Sequence, residues 1–122
     1  MGTIHHNAVI VTGWNEHVDL AREKALDLWA EAFADDEIVT PEGARSLVGE
    51  VVDGLTNGYR TFFIAPDGSK EWWSTSDAVN GARNAFLTWL RESELYLDYV
   101  MVGYGDLGLQ VEDRDGKRLS AK

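Results

Sequence analysis

Residues 59–65 read YRTFFIA, between an Asn-Gly pair at 57–58 and a Pro-Asp-Gly sequence at 66–68. β-Branched and aromatic residues bounded by two turn signals predict a β-strand. Because successive side chains of a strand point to opposite faces of the sheet, Phe62 and Phe63 must lie on opposite faces. A single layer of helices therefore cannot bury both rings.

The strand at 59–65 belongs to a longer series of predicted elements. Apolar residues recur at three- and four-residue spacing in two stretches, which indicates two amphipathic helices, and β-branched runs indicate the strands. Asn15 and residues 75–77 are the predicted N-caps. In chain order we expect strand 8–12, a helix from about 16 to 33, strand 47–52, strand 59–65, a short return strand 70–73, a helix from about 77 to 92 and strand 98–104.

For residues 38–55 the sequence is compatible with either a helix or a strand. Thr40-Pro41 favours the start of a helix, while Gly43 and Gly49 weaken any helix that would follow. The whole series predicts one α+β domain over 1–122, with a short, mostly antiparallel sheet and two amphipathic helices. Its order resembles the split βαβ arrangement of ferredoxin-like folds. Residues 113–122 are expected to form a last hairpin or a frayed tail.

The composition limits the classes of function. Acidic residues number 21 against 11 basic ones, the formal net charge is −10, and the chain has no cysteine. Direct nucleic-acid binding is disfavoured, because it depends on Lys and Arg contacts to phosphates. Disulfides are excluded, and no apolar run approaches the roughly 20 residues of a membrane span. We expect a soluble cytoplasmic protein without a signal peptide or a membrane segment.

The aromatic residues are too many for a small sheet with two helices: five Trp, four Tyr and four Phe. Three explanations stay open: a core in which residues 38–55 cover the far face of the sheet, a homodimer interface, or an aromatic platform for a ligand. A platform flanked by cations would capture a small anionic nucleotide. Its candidate residues are His6, Trp14, Tyr59, Arg60, Lys70 and Trp73.

The first helix carries a second candidate surface on its polar side. Carboxylates three and four residues apart lie on one side of a helix, roughly 5–6 Å from one another. Such a row suits the basic groove of a partner protein, and the alternative is an ordinary solvated helix side. The candidate protein-binding residues are Glu16, Asp19, Glu23, Asp27 and Glu31.

The sequence lacks a recognisable catalytic constellation. His5 and His6 are adjacent, so they point to opposite faces of a strand and do not share one ion easily. Neither a zinc motif, a nucleophilic serine motif nor a phosphate-binding glycine loop is present. We therefore expect a protein that is not an enzyme and needs no metal or cofactor. The alternative is a small hydrolase or transferase that uses His5 or His6 with a carboxylate.

Three segments carry a resemblance to a known family. HHNAVIVTGW at 5–14, NGYRTFFIAPDGSKEWW at 57–73 and DYVMVGYGD at 98–106 together resemble a family of small proteins encoded largely by bacteriophages and prophages. That family has a glycine where this chain has Trp72, and a polar loop where it has residues 93–97. The resemblance implies a setting rather than an activity. It implies an accessory protein of the host cytoplasm that binds and neutralises a host component, as an anti-defence inhibitor of a host protein or by sequestering a nucleotide signal.

Overall fold

The computed structural model describes residues 4–70, 72–106 and 108–114, the last five of these by their backbone only. Its elements confirm the α+β class. They are β1 (His5–Trp14), α1 (Asn15–Ala32), α2 (Pro41–Arg45), β2 (Val52–Asp53), β3 (Tyr59–Ile64), α3 (Ser74–Glu92), β4 (Leu97–Gly105) and β5 (Gln110–Arg114).

The five strands form one antiparallel sheet in the order β2-β3-β1-β4-β5. β1 lies at the centre, so the first strand of the chain pairs with β3 on one side and β4 on the other. The hairpin between β2 and β3 closes at Asn57 and Gly58, whose φ angles of 62° and 69° are both positive. Two positive φ angles are what an Asn-Gly hairpin turn requires. The order of elements is compatible with the split βαβ arrangement, extended by α2 and β5.

The core lies between the sheet and the two long helices, α1 and α3. Phe86 of α3 is fully buried, and its ring lies 6.1 Å from Trp29 of α1 and 6.5 Å from Phe62 of β3. The other buried side chains of β1 and β3, Val9, Val11 and Ile64, point to this same side. Both helices therefore cover one face of the sheet.

The other face of the sheet is covered by no residue that the structure describes. Phe63 is 51% exposed, whereas its neighbour Phe62 is 1% exposed. The strand register places Phe63 next to Ile10, and Ile10 next to Val100. We call this surface the open face. Its members on β1 to β4 are His6, Ala8, Ile10, Thr12, Trp14, Val52, Tyr59, Thr61, Phe63, Asp98, Val100, Val102 and Tyr104.

The predicted return strand at 70–73 is wrong. After β3 the chain folds toward α3, because Asp67 accepts hydrogen bonds from Ser69 and lies 3.9 Å from the guanidinium of Arg83. Arg83 is only 3% exposed and also donates to Asn80 at 2.6 Å. These contacts lead the chain into α3, which begins at Ser74. Residue 71 lies outside the described residues.

The predicted strand at 47–52 is wrong in most of its length. Residues 38–55 instead contain the short helix α2, a single bridge between Val48 and Ile64, and the two residues of β2. Thr40 caps α2 by accepting a hydrogen bond from the Gly43 amide at 3.0 Å, as expected for the residue before a helix-starting proline. α2 packs against α1, so this segment leaves the open face uncovered.

Both predicted side-chain N-caps are wrong by one or more residues. Trp14 precedes α1 and Trp73 precedes α3, and neither makes a side-chain cap bond. At α1 the strand continues directly into the helix, and the Asn15 amide donates to the Gly58 carbonyl at 2.9 Å. A backbone acceptor therefore satisfies the amide that a capping side chain would otherwise bind.

Phe62→Ala and Phe63→Ala compare the two faces of the sheet directly. We expect the first to lower the free energy of unfolding by about 3–5 kcal/mol, because it removes a ring from the core. We expect the second to change it by less than about 1 kcal/mol in dilute protein, because its ring is already half exposed. Urea denaturation of both variants measures the difference. Equal losses would contradict a sheet covered on one face.

Candidate functional site

The structure divides the six predicted ligand-binding residues among four places. Trp14 and Tyr59 meet at one end of the sheet, with ring centroids 6.4 Å apart and an edge-to-face angle of 87°. His6 lies near the opposite end of β1, where its ring is 5.2 Å from that of Tyr104. Eight residues of strand separate His6 from Trp14, roughly 26 Å. These three predicted residues therefore do not form one pocket.

Arg60 is turned away from the rings of the open face. It alternates with Tyr59 along β3, and its guanidinium binds Asp53 at 2.7 Å and both oxygens of Asp19 at 2.7 and 2.8 Å. The hydrogen bond that Arg60 donates to Asp53 is the largest cause of the raised pKa of Arg60. Arg60 therefore holds α1 to the β2–β3 hairpin and is not available as the cation of an aromatic platform.

Lys70 and Trp73 lie together beyond the far end of β3. The Lys70 ammonium is 5.7 Å from the Trp73 ring centroid, within the range of a cation–π contact. β3 begins opposite Trp14 and ends opposite Val9, so this pair is at the other end of the sheet from the Trp14–Tyr59 pair. The predicted combination of both cations with both sets of rings is not formed.

The rings of Trp14 and Tyr59 instead join two residues that the sequence analysis did not select. With His17 and Tyr96 they line a concave space of about 420 Å³. We call this site the aromatic cleft. Trp14 is 48%, Tyr59 36% and Tyr96 69% exposed, so part of each of the three rings is accessible to a ligand.

Backbone contacts fix the shape of the aromatic cleft. The Trp14 amide donates to the Tyr96 carbonyl at 3.1 Å, which holds the chain before β4 against the end of β1. Gly13 makes this approach feasible, because a Cβ at that position would collide with the Tyr96 carbonyl and with Leu97. The close approach explains why a glycine stands next to the last residue of β1.

His17 supplies the imidazole of the aromatic cleft. Its Nδ1 accepts a hydrogen bond from the Tyr96 amide at 2.8 Å. A neutral imidazole that accepts at Nδ1 carries its proton on Nε2. One weak signal in the sequence pointed to this residue, since His17 lies three positions after Trp14 in the first turn of α1. None pointed to Tyr96, because only the register of β1 with β4 brings it there.

The five predicted acidic residues of α1 are all exposed, on the side opposite its buried residues. Asp19 is bound to Arg60, which the sequence analysis did not foresee. Among the described residues, the carboxylates of the other four have no ion-pair partner within 4 Å. We call Glu16, Glu23, Asp27 and Glu31 the acidic ridge. It begins next to His17 and therefore adjoins the aromatic cleft.

A larger groove of about 500 Å³ lies between α1 and the C-terminal end of α3. Glu23 and Asp27 of the acidic ridge line it, together with Leu20, Lys24 and Trp89. This groove has one accessible aromatic wall, whereas the aromatic cleft has three rings around a smaller space. The aromatic cleft is therefore the better-defined binding site, and the groove extends the surface beside it.

In the described part of the chain, no three His, Asp or Glu side chains are placed to hold a metal ion. Within the same residues, no helix is both long and apolar enough to cross a membrane.

The fold and the site define a small α+β protein with one uncovered sheet face and an aromatic cleft at its end. Searches of protein-family models, curated proteins and solved structures found nothing that matches this chain.

Trp72 has a φ of 79°, in the left-handed region that bulky residues rarely adopt, and it is 85% exposed. Glycine takes this conformation without steric cost. We expect Trp72→Gly to leave the melting temperature unchanged or to raise the free energy of unfolding by up to about 1 kcal/mol. The matched change Trp73→Gly, at a φ of −74°, should lower the melting temperature. A larger loss in Trp72→Gly would contradict the assignment of strain.

Proposed function

We propose that this protein is a non-enzymatic binding protein that occupies a basic surface of a partner protein and thereby neutralises it. The aromatic cleft receives an arginine or lysine side chain of the partner, and the acidic ridge attracts the basic residues around it. The accessible rings of Trp14, Tyr59 and Tyr96 around one concave space carry this proposal.

The chemistry of the aromatic cleft favours a cation. The face of an aromatic ring is electronegative, and a cation within about 6 Å of the centroid of a Trp or Tyr ring is attracted by about 0.5–2 kcal/mol. No described Lys or Arg side chain lines the cleft. The guanidinium group also stacks flat on rings, which makes arginine the better fit of the two.

The charge of the chain supports the same partner. A net charge of −10 attracts a basic surface over long range and raises the rate of encounter. The acidic ridge runs from position 16 to position 31, which is roughly 22 Å along a helix. This length is sufficient for several basic side chains of one partner. In the setting that the family resemblance implies, the partner is a basic component of a host defence system.

Sequestration of an anionic nucleotide has less support. A base stacks on exposed rings of a sheet, as in many RNA-binding sheets, but its phosphates need cations. Arg60 is bound to Asp19 and Asp53, and Lys70 lies at the other end of the sheet. On β1 to β4, no member of the open face is a Lys or an Arg. The open face therefore repels a phosphate chain more than it holds one.

The test is a titration of the full chain, followed by NMR, with a tetra-arginine peptide. We expect the indole resonance of Trp14 and the ring resonances of Tyr59 and Tyr96 to shift. We expect Trp14→Ala and Tyr96→Ala each to weaken binding about tenfold, by removing one cation–π contact. Leu55→Ala, at a fully exposed site outside the sheet, should bind as the wild type does.

The same titration with a tetra-glutamate peptide and with a cyclic nucleotide separates the alternatives. Neither anion should shift the resonances of the aromatic cleft. Shifts with the nucleotide and none with tetra-arginine would overturn the proposal in favour of nucleotide sequestration. An arginine peptide that moves no resonance of the cleft would also overturn it.

Charge reversal tests the acidic ridge separately. The triple variant Glu16→Lys, Glu23→Lys and Asp27→Lys should weaken tetra-arginine binding by at least about tenfold. Binding by the wild type should weaken as the salt concentration rises. The control variant Asp35→Lys, Glu37→Lys and Glu42→Lys changes the net charge by the same amount at exposed residues that are not part of the ridge. Equal losses in both triple variants would show that only net charge matters.

A further inference from the structure

The open face is an apolar surface that no residue described by the structure covers. Its central row, Phe63–Ile10–Val100, crosses three adjacent strands. Val100 and Val102 do not pack against the core, although Met101 between them does. Along β4 the side chains thus alternate between the core and an uncovered apolar face. Val52, 66% exposed, and Tyr104, 41% exposed, extend this surface to both sides.

The size of the open face matches that of a stable protein interface. The ten residues of β1 extend roughly 33 Å, and five strands spaced about 4.8 Å apart are about 24 Å wide. Because β2 and β5 are short, the face offers roughly 600–700 Å² per chain. Two such faces would bury about 1,200–1,400 Å², at the lower end of the range for specific interfaces.

The distribution of charge favours a second copy of this chain as the occupant. Of the 21 acidic residues, only Asp98 lies on the open face of β1 to β4. The acidic ridge is on the outer side of α1, a helix about 10 Å thick with its side chains. Two copies packed through their open faces therefore keep these ridges more than about 20 Å apart. This separation exceeds the screening length of about 8 Å at physiological salt.

The composition of residues 115–122 differs from that of the open face. Residues 115–122, DGKRLSAK, contain one large apolar residue, Leu119, and three lysines or arginines. Such a segment cannot match the rings and β-branched side chains of the open face. A sheet face with apolar members on each of β1 to β4 is, by contrast, complementary to a second copy of itself.

We propose that two copies of this chain associate through their open faces, with the Phe63–Ile10–Val100 rows at the centre of the interface. Sheet-on-sheet packing buries the central row against its counterpart, as in a β-sandwich. The aromatic cleft lies four residues further along β1, roughly 13 Å from Ile10. Trp14 and Tyr59 belong to both the open face and the aromatic cleft, so the two clefts lie at the rim of this interface. The two acidic ridges lie on the outer sides of the dimer.

Sedimentation velocity over a concentration series of the full chain tests this proposal. We expect a species of twice the 13.6 kDa monomer. Its dissociation constant should stay constant or fall as salt rises, because salt screens the repulsion between two acidic chains. Binding of a basic partner shows the opposite salt dependence, so failure of the dimer and failure of the proposed function are distinguishable.

Ile10→Lys and Phe63→Glu should each weaken self-association at least about tenfold, because each buries a charge in the interface. Ile38→Lys and Leu55→Glu make the same changes at residues that are 91% and 101% exposed outside the sheet, and should not affect it. If a charged variant loses its circular-dichroism spectrum, Ile10→Thr and Phe63→Thr replace it, since threonine retains strand propensity. A wild type that is monomeric throughout the series would overturn the proposal. Undiminished association of the open-face variants would overturn it equally.

Discussion

The packing of α1 and α3 on the same face of the sheet is the constraint on which the rest of the structure depends. Phe86 is in contact with Trp29 and Phe62 at the centre of that layer. All three rings are buried, and buried aromatic rings contribute strongly to the stability of a core. A strand alternates its side chains strictly. When a residue of a strand places its ring or branched side chain in this core, the next residue must therefore place its side chain on the opposite face.

This alternation connects the core with the proposed binding surfaces. Because Phe62 points into the core, Phe63 points to the open face. In the same way Val9 and Val11 are buried, and Ile10 between them is exposed. Trp14 and Tyr59 end the open face at the point where β1 runs into α1, and there His17 and Tyr96 complete the aromatic cleft. The cleft and the open face are therefore two consequences of one helical layer. The acidic ridge follows from the same layer, since it is the solvent side of α1.

Local patterns in the sequence were sufficient for most of the fold and for part of the site. The β3 strand, the Asn57-Gly58 turn and both long helices are determined by residues close together in the chain. The strand expected at 70–73 failed because a contact distant in sequence, Asp67 with Arg83, decides the path there. For the site, Trp14 and Tyr59 were identified, but Tyr96 depends on a strand register that one sequence does not reveal. The sequence alone was sufficient to exclude Arg60 from the aromatic platform, because Arg60 and Tyr59 are neighbours on β3 and point to opposite faces.

The central claim is that the open face becomes buried only when chains associate. The most direct measurement is the paramagnetic relaxation of the Ile10 and Ile64 methyl groups by a soluble relaxation agent, over a dilution series. Ile64 should be protected at every concentration, because it is 1% exposed in the core. Ile10 should be protected in the associated species and lose that protection as the chain dissociates. Protection of Ile10 in particles of monomer mass, or its full exposure at every concentration, would contradict this account.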